Sequence, residues 1–360
     1  MQNTMYSKRY DKQIKLPEVG ISGQEKLGKA KVLVIGAGGL GCPVLQNLAA
    51  AGVGCIGIVD GDVVEETNLH RQFLYTKEDC GKFKVTVAAE AISKQNPEVK
   101  VIPYADYFTN NNAFQIVSDY QIIVDCTDTI PTRYLMNDVA LVKAIPMVYA
   151  SIHKFEGQLS IFNYNNGPSY RCLFPENEPI NTMDTCADLG VLGVLPNVLG
   201  GMQANEILKM ILGIGSVLNG RLLLYNALDN SVQTIDFQKN ENEINKGMQN
   251  GLSILNAEPT TEIGLLSSSD FFREAQNKNN LVIDIREHYE EPKVMIENYK
   301  TVPLGQLDDF LKHIDKNQKI ILFCQNGSRS KLASNYLQKN GFTNLYHLEN
   351  GVEALQTITS

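Results

Sequence analysis

Glycines and an acidic residue in the N-terminal part of the chain are the first candidate functional residues. Four glycines lie between an apolar, strand-like segment over 31–35 and the helix-like segment after it, namely Gly36, Gly38, Gly39 and Gly41. A strand, a tight glycine turn and a helix N-terminus form an anion site, because backbone N–H groups and the positive end of the helix dipole face a phosphate. Asp60 ends the next strand-like segment, where a ribose-binding carboxylate belongs. This pattern fits both a dinucleotide and a nucleoside triphosphate.

Residues downstream of Asp60 favour the triphosphate. Asn68, Arg71 and Lys84 supply one amide and two cations. A nicotinamide dinucleotide has no need for so many cations, whereas the charge that builds on a leaving pyrophosphate is stabilised by fixed Arg and Lys groups and by a metal ion. Asp128 follows the apolar segment 121–124 and is therefore the expected magnesium ligand.

A cysteine in the C-terminal part of the chain heads the second group. Cys324 follows the apolar segment 319–323 and precedes a helix-like segment. Backbone N–H groups and a helix N-terminus converge at such a position, which favours a thiolate. The loop that begins there consists of Cys324, Gln325, Asn326, Gly327, Ser328 and Arg329. The sequence predicts a reactive thiolate in this loop, and a structural cysteine at a strand end is the alternative.

Residues 5–238 resemble the ThiF/MoeB family of ATP-dependent activating enzymes, which are relatives of the ubiquitin-activating enzymes. The matching motifs are Arg9–Ile14, the glycine run, Asp60–Asp62, Asn68–Gln72, Lys84 and Asp125–Asp128. Enzymes of this family adenylate the C-terminal glycine carboxylate of a small ubiquitin-like protein. The resemblance implies an ATP pocket formed by Gly39, Asp60, Asn68, Arg71, Lys84 and Asp128.

The same resemblance implies a homodimer. Family members usually carry an arginine that reaches across the dimer interface to the partner's ATP phosphates, and Lys12 stands at that place here. Lysine keeps the charge but loses the bidentate geometry of arginine. Either Lys12 suffices for this contact or Arg9 shares it.

Residues 262–358 resemble a single rhodanese domain, on the Cys324 loop and on the segment Asp284–Glu287. Rhodaneses carry sulfur as a cysteine persulfide in this loop. Protein phosphatases use a similar loop, but it is one residue longer between Cys and Arg to fit a phosphate. The resemblance therefore implies sulfur transfer through Cys324 rather than dephosphorylation.

Together the two resemblances imply one reaction sequence. A ubiquitin-like sulfur carrier protein ending in Gly-Gly would be adenylated with ATP and Mg²⁺, and a Cys324 persulfide would then displace AMP to give a thiocarboxylate for molybdopterin or thiamine assembly. A cysteine desulfurase or thiosulfate would supply the sulfur. Cys186 matches the cysteine of the family's crossover loop, and its thiol would resolve the acyl disulfide.

Three other classes stay open as alternatives. An NAD-dependent oxidoreductase leaves the Arg71, Lys84 and Asp128 set unexplained. An enzyme that adenylates a tRNA nucleoside leaves Cys324 unexplained. A non-catalytic scaffold is the third class, with the intact phosphate and metal residues against it.

A structural zinc ion is not expected in this chain. Family members commonly hold zinc between two Cys-x-x-Cys pairs, but Ser169 stands in place of the first cysteine and residues 238–248 contain none. One thiolate cannot make a tetrahedral zinc site. We therefore predict no zinc, with Cys172 left as a packing residue. The seven cysteines are odd in number and scattered, so they indicate no disulfide framework.

The candidate residues must be held in place by secondary structure, which the sequence indicates by alternating strand-like and helix-like patterns. They predict an α/β fold with a Rossmann-like, doubly wound and mostly parallel sheet. Segments 158–162 and 221–237 read as an antiparallel extension, around a long helix over about 194–212. The predicted domains are an adenylation domain over 1–238, a polar linker over 239–261 and a small α/β rhodanese-like domain over 262–360.

Composition narrows the function classes. A net charge of −8 and a pI near 5.3 argue against a nucleic-acid-binding surface. No apolar run approaches the ~20 residues of a membrane span, and the first residues lack the apolar region of a secretory signal. The sequence thus predicts a cytoplasmic protein with no membrane and no nucleic-acid partner.

Overall fold

Two separate sheets organise the residues that the computed structural model describes, which are 8–176, 190–256, 263–296, 298–312 and 314–356. The chain divides into two units, Met1–Asn256 and Ala257–Ser360. Among the described residues, no helix combines the length and the apolar character needed to cross a membrane.

The first unit is built on an eight-stranded sheet with the order β3-β2-β1-β4-β5-β6-β7-β8. Its strands are β1 (Lys31–Ile35), β2 (Cys55–Val59), β3 (Lys100–Tyr104), β4 (Ile122–Asp125), β5 (Met147–His153), β6 (Glu156–Phe162), β7 (Arg221–Asn226) and β8 (Ser231–Asp236). Strands β1 to β5 pair in parallel, and β6 to β8 extend the sheet in antiparallel pairs. The predicted Rossmann-like sheet with an antiparallel extension is confirmed.

Helices cover both faces of this sheet. The helices of the first unit are α1 (Asp11–Ile14), α2 (Gly20–Lys29), α3 (Gly41–Ala51), α4 (Lys84–Gln95), α5 (Ala113–Val117), α6 (Ile130–Lys143), α7 (Tyr170–Leu173), α8 (Val194–Leu212) and α9 (Glu241–Asn256). Alternate residues of β1 face opposite sides, so that Val32 and Val34 join one apolar core while Leu33 and Ile35 join the other. The central strand is thus buried on both faces.

The predicted linker differs from the structure over most of its length. Residues 241–256 form α9, and Gly247 and Gly251 of this helix are buried against α6. The side chain of Asn240 caps the helix by accepting the N–H groups of Asn242 and Glu243, at 3.1 and 3.4 Å. The division between the two units falls after Asn256, because packing on α6 holds this polar segment in the first unit.

The second unit contains a five-stranded parallel sheet with the order β11-β10-β12-β13-β9. Its strands are β9 (Gly264–Leu266), β10 (Leu281–Asp284), β11 (Lys300–Thr301), β12 (Ile320–Phe323) and β13 (Leu345–Leu348). Its helices are α10 (Ser268–Ala275), α11 (Leu307–Leu311), α12 (Ser328–Lys339) and α13 (Glu353–Gln356). The predicted small α/β domain is confirmed.

Candidate functional site

The carboxyl ends of three neighbouring parallel strands bring the predicted ATP-site residues to one edge of the first sheet. Strand β1 lies between β2 and β4, with Ile35 opposite Val59 and Asp125. The glycine turn follows β1, Asp60 follows β2, and Asp128 follows β4. Open α/β sheets bind ligands in crevices at this edge.

Asp60 fastens the glycine turn to β2. Its Oδ2 accepts a hydrogen bond from the Ala37 N–H at 2.7 Å, and its Oδ1 accepts one from the Asp62 N–H at 2.8 Å. Gly36 has a φ of +98°, and a Cβ there would collide with the carbonyl oxygen of Cys126, so the turn needs glycine. Burial raises the pKa of the Asp60 carboxyl, opposed by a nearby lysine and the two N–H donors. Each oxygen keeps acceptor capacity for a ribose hydroxyl.

Arg71 and Gln72 lie against the glycine turn. A methyl group added to Gly39 would lie 3.6 Å from Arg71 Cγ, and one added to Gly38 would lie 3.5 Å from Gln72 Nε2. Gln72 is 3% exposed, and its Oε1 has no hydrogen-bond partner among the described residues. A buried acceptor without a donor costs free energy, so this atom is suited to a ligand. Gln72 was not among the ATP-binding residues predicted from the sequence, and its place in the Asn68–Gln72 motif was its one signal.

Asn68 and Lys84 are polar residues buried near the same edge, with exposed fractions of 8% and 6%. The backbone carbonyl of Asn68 accepts the N–H groups of Arg71 and Gln72, the two residues that lie against the glycine turn. Lys84 is the first residue of α4, and its Nζ donates to Asp62 Oδ2 at 2.9 Å. A buried lysine that must stay charged needs such a partner.

Asp125 holds the loop that carries Asp128. Its Oδ1 accepts the N–H and the hydroxyl of Thr127, both at 3.0 Å, and its Oδ2 accepts Arg133 Nε at 3.1 Å. Arg133 also donates to the Thr127 carbonyl at 2.9 Å. Asp125 is fully buried, whereas Asp128 is exposed at the carboxyl end of β4. An exposed carboxylate on a fixed loop fits a magnesium ion, which prefers oxygen ligands.

Arg9 and Lys12 lie far from the glycine turn of their own chain. The neighbouring Gln13 donates to the Ala51 carbonyl at 3.1 Å, at the last residue of α3. The glycine turn precedes the first residue of this 11-residue helix, and the helix is about 16 Å long. The described hydrogen bond of this segment therefore lies at the end of α3 opposite the glycine turn.

Cys324 lies at the carboxyl end of β12, where α12 begins. The residue is fully buried, and its Sγ accepts the N–H of Ser330 at 3.3 Å. Gly327 has a φ of +88°, which turns the loop back toward the helix. The Ser330 N–H therefore donates to this sulfur from the first turn of α12. Cys186, the predicted resolving thiol, falls in 177–189, outside the described residues.

Two arginines at the Cys324 loop are held by carboxylates, Arg329 within the loop and Arg286 in contact with its Gln325. Arg286 is 1% exposed, donates to Asp284 at 2.8 Å and reaches Gln325 Oε1 at 3.0 Å. Arg329 forms a bidentate ion pair with Glu290, at 2.7 and 2.6 Å. The Arg329 guanidinium lowers the pKa of Glu290 to about 2. Glu290 was not predicted from the sequence, because the ion pair joins residues 39 positions apart.

Hydrogen bonds hold the segment around Cys172, where the family's zinc site was expected to be lost. Cys172 Sγ accepts the N–H of Ser169 and the N–H of Asn240, both at 3.3 Å. Cys172 thus joins α7 to the start of α9 instead of packing in a core. In the described ranges, no group of three or more His, Cys, Asp or Glu is arranged to hold a metal. The residues present here do not fit a structural zinc ion.

The chain thus combines a glycine turn on a doubly wound sheet with a cysteine loop on a smaller parallel sheet. It belongs to the ThiF family, which it matches over residues 10–246, and it carries a rhodanese-like domain over residues 268–357.

Named relatives match nearly the whole chain or most of its first unit. The chain is similar to the adenylyltransferase and sulfurtransferase MOCS3 of Drosophila sechellia, with 36% identity over 354 residues that cover 92% of this chain and 78% of that protein. It is similar to the sulfur carrier protein adenylyltransferase of Thermus thermophilus, with 48% identity over 237 residues, 64% of this chain and 88% of that one. The match to MOCS3 of Xenopus laevis, at 46% identity, covers 65% of this chain and only about half, 52%, of that relative.

Solved structures share the fold of the chain. The crystal structure of E. coli MccB has a TM-score of 0.57 and 21% identity, covering 66% of this chain and 71% of that one. The crystal structure of PaaA has a TM-score of 0.53 and 24% identity, covering 67% of this chain and 78% of that one. At these identities the likeness concerns the fold alone.

Proposed function

We propose that the first unit adenylates the C-terminal glycine carboxylate of a ubiquitin-like sulfur carrier protein and that the second transfers sulfur to it. The observation that carries this proposal is the convergence of Asp60, Arg71, Gln72 and Lys84 on one glycine turn. The names of the relatives, adenylyltransferase and sulfurtransferase, support it. A further support is that E. coli MccB, which shares the fold, has been solved with ATP.

In the first step a carboxylate oxygen of the carrier attacks the α-phosphorus of ATP, and the bond to the bridging oxygen breaks. Pyrophosphate leaves with the electron pair, and an acyl adenylate remains. The backbone N–H groups of the glycine turn, Arg71 and Lys84 stabilise the growing negative charge. Asp128 would hold Mg²⁺, which neutralises phosphate charge when bound.

In the second step sulfur passes through Cys324. Its thiolate takes the outer sulfur of a donor persulfide, or the sulfane sulfur of thiosulfate, and releases a thiolate or sulfite. The resulting persulfide attacks the acyl adenylate, AMP leaves, and an acyl disulfide forms. A second thiol, from Cys186 or from solution, then attacks Cys324 Sγ and frees the thiocarboxylate. An external thiol reduces the disulfide that this leaves.

The partners follow from these steps. The carrier ends in Gly-Gly and serves molybdopterin or thiamine assembly, and the donor is a cysteine desulfurase or thiosulfate. The enzyme acts as a homodimer in which Lys12, with Arg9, contacts the ATP phosphates of the partner subunit. The contact of the neighbouring Gln13 with the end of α3 opposite the glycine turn supports this arrangement.

Carrier-dependent pyrophosphate exchange tests the proposal. The protein is incubated with ATP, labelled pyrophosphate and candidate carriers that end in Gly-Gly, and label in ATP is measured. We expect exchange with at least one carrier and none with the same carrier lacking its last glycine. Absence of exchange with every carrier of this class would refute the adenylation step.

A further inference from the structure

A chain of hydrogen bonds holds the buried cation of the ATP site. Lys84 Nζ donates to Asp62 Oδ2 at 2.9 Å, and the Tyr107 hydroxyl donates to Asp62 Oδ1 at 2.7 Å. The Lys84 N–H also donates to the Asp62 carbonyl at 3.0 Å. The Lys84 side chain is 7% exposed and that of Asp62 is 50% exposed. One carboxylate oxygen thus serves the lysine and the other serves the tyrosine.

The sheet and a local turn bring Tyr107 to this place. Strands β2 and β3 are parallel neighbours, with Val59 opposite Tyr104, so the segments after both strands emerge side by side. Asn112 Nδ2 donates to the Tyr107 carbonyl at 2.8 Å and fixes the turn that presents the ring. The ring lies directly over Gly61, where a Cβ would be 2.7 Å from a ring carbon. The absence of a side chain at Gly61 makes room for Tyr107.

We infer that Tyr107 is a positioning residue for adenylation, which acts through Asp62 to aim the ammonium group of Lys84 at the ATP phosphates. This inference rests on the proposed function. A half-exposed carboxylate rotates and binds water unless both of its oxygens are held. Transition-state charge is stabilised best by a cation that is already oriented before reaction.

The surroundings of Tyr107 support a role beyond packing. Its side chain is 45% exposed, so it contributes little to the core. Burial of its hydroxyl and the hydrogen bond to Asp62 raise the pKa of Tyr107, and the group therefore stays a donor throughout the working pH range.

The variant Tyr107→Phe tests the inference because it removes only the hydroxyl. We expect kcat for carrier-dependent pyrophosphate exchange to fall about tenfold, less than the roughly 100-fold that a 1 Å displacement of a reacting group can cost. The KM for the carrier and the melting temperature should stay unchanged. The matched control is Tyr104→Phe, three positions earlier, whose hydroxyl pairs with that of Tyr120 at 3.1 Å. It should exchange at the wild-type rate.

A second variant disturbs the same contact from the other side. Gly61→Ala places a methyl group against the Tyr107 ring and should lower kcat by a similar factor. The double variant Gly61→Ala/Tyr107→Phe should be no slower than the slower single variant, because both changes break one link and such effects are not additive.

Lys84→Ala separates this inference from the proposed function. If Lys84→Ala abolishes exchange while Tyr107→Phe keeps the wild-type kcat, the positioning role is wrong and the ATP-site assignment stands. If Lys84→Ala itself retains exchange, both the role of Lys84 and that of Tyr107 are wrong. A loss in Tyr107→Phe that appears only as lowered thermal stability also contradicts the inference.

Discussion

Three aspartates lie at the carboxyl ends of strands in the first unit. Two of them hold loops in place, and the third faces solvent. Asp60 ties down the glycine turn, and Asp125 is buried beneath the Thr127 loop with Arg133. Asp128 alone among these three is exposed. The sequence predicted the ligand roles of Asp60 and Asp128 from position, but the holding role of Asp125 depends on Arg133, which only the folded helix brings near.

Substitution of Asp128 should remove adenylation without unfolding the chain. We expect Asp128→Ala to lower carrier-dependent pyrophosphate exchange by about 100-fold or more, because the step would lose its proposed magnesium ligand. The melting temperature should change little, since the residue is exposed. The matched control is Asp119→Ala, an exposed residue before the amino end of the same strand. Near wild-type exchange in Asp128→Ala would contradict the metal assignment.

The ion pair of Glu290 should make the second unit sensitive to acid. The folded-state pKa of Glu290 is lowered from 4.5 to about 2, so the pair stabilises the fold above about pH 4.5 and this contribution is lost as the pH falls toward 2. Glu290→Gln removes the titration. Amide hydrogen exchange of β12 should therefore differ most between the two proteins above pH 4.5 and converge toward pH 2.

The control for this measurement is Glu291→Gln, at a neighbouring exposed carboxylate. It should match the wild-type protein at every pH. A difference between wild type and Glu290→Gln that stays constant over the whole pH range would show that the ion pair contributes nothing that titrates.

Among the secondary-structure elements, apolar periodicity correctly predicted the strands and helices whose signal lies in the local sequence. The buried strands β1, β2 and β4 are short apolar runs, and the long helix over 194–212 was predicted with its observed bounds. Helix α9 was interpreted as part of a linker because the segment is polar and rich in Asn, Glu and Lys. Its two glycines also have a low intrinsic helix propensity. Its packing on α6 through Gly247 and Gly251 overrides that low propensity, and a non-local contact of this kind leaves no local signal.

The contact between α7 and the start of α9, made through Cys172, should form without a bound metal ion. We expect the purified protein to contain less than ~0.2 zinc per chain, because one thiolate cannot form a tetrahedral site. Incubation with a strong chelator should leave the melting temperature unchanged. Stoichiometric zinc by elemental analysis would prove this prediction wrong.

A substitution of Cys172 tests whether its hydrogen bonds hold the start of α9. Cys172→Ala removes the acceptor of the Ser169 and Asn240 N–H groups. We expect faster hydrogen exchange at the start of α9 and no change in zinc content. The control is Cys80→Ala, an exposed cysteine elsewhere in the first unit.

At the scale of the whole molecule, the two chemistries should separate by substitution. Cys324→Ala should leave pyrophosphate exchange unchanged, because the ATP site lies in the other unit, yet stop thiocarboxylate formation. Mass spectrometry of the carrier would then lack the oxygen-to-sulfur gain of ~16 Da at its C-terminus. Normal product from Cys324→Ala would exclude the persulfide route.

Cys186→Ala tests the resolving thiol in the same assay. Adenylation should be unaffected, and release of the thiocarboxylate should slow if no external thiol is supplied. Adding a small thiol should restore the rate, because it takes over the attack on the acyl disulfide. A wild-type rate without added thiol would assign resolution to another group.

The order of strands also governs when each unit can form during synthesis. The first unit is complete at Asn256, so it can fold while the ribosome is still translating the rest of the chain. In the second unit β9, its first strand, pairs with β13, its last. The pair of β9 and β13 cannot form until residue 348 has been synthesised. Parallel pairings between distant segments also form slowly. The Cys324 loop lies between these two strands in sequence. It is therefore assembled late, after the first unit has formed.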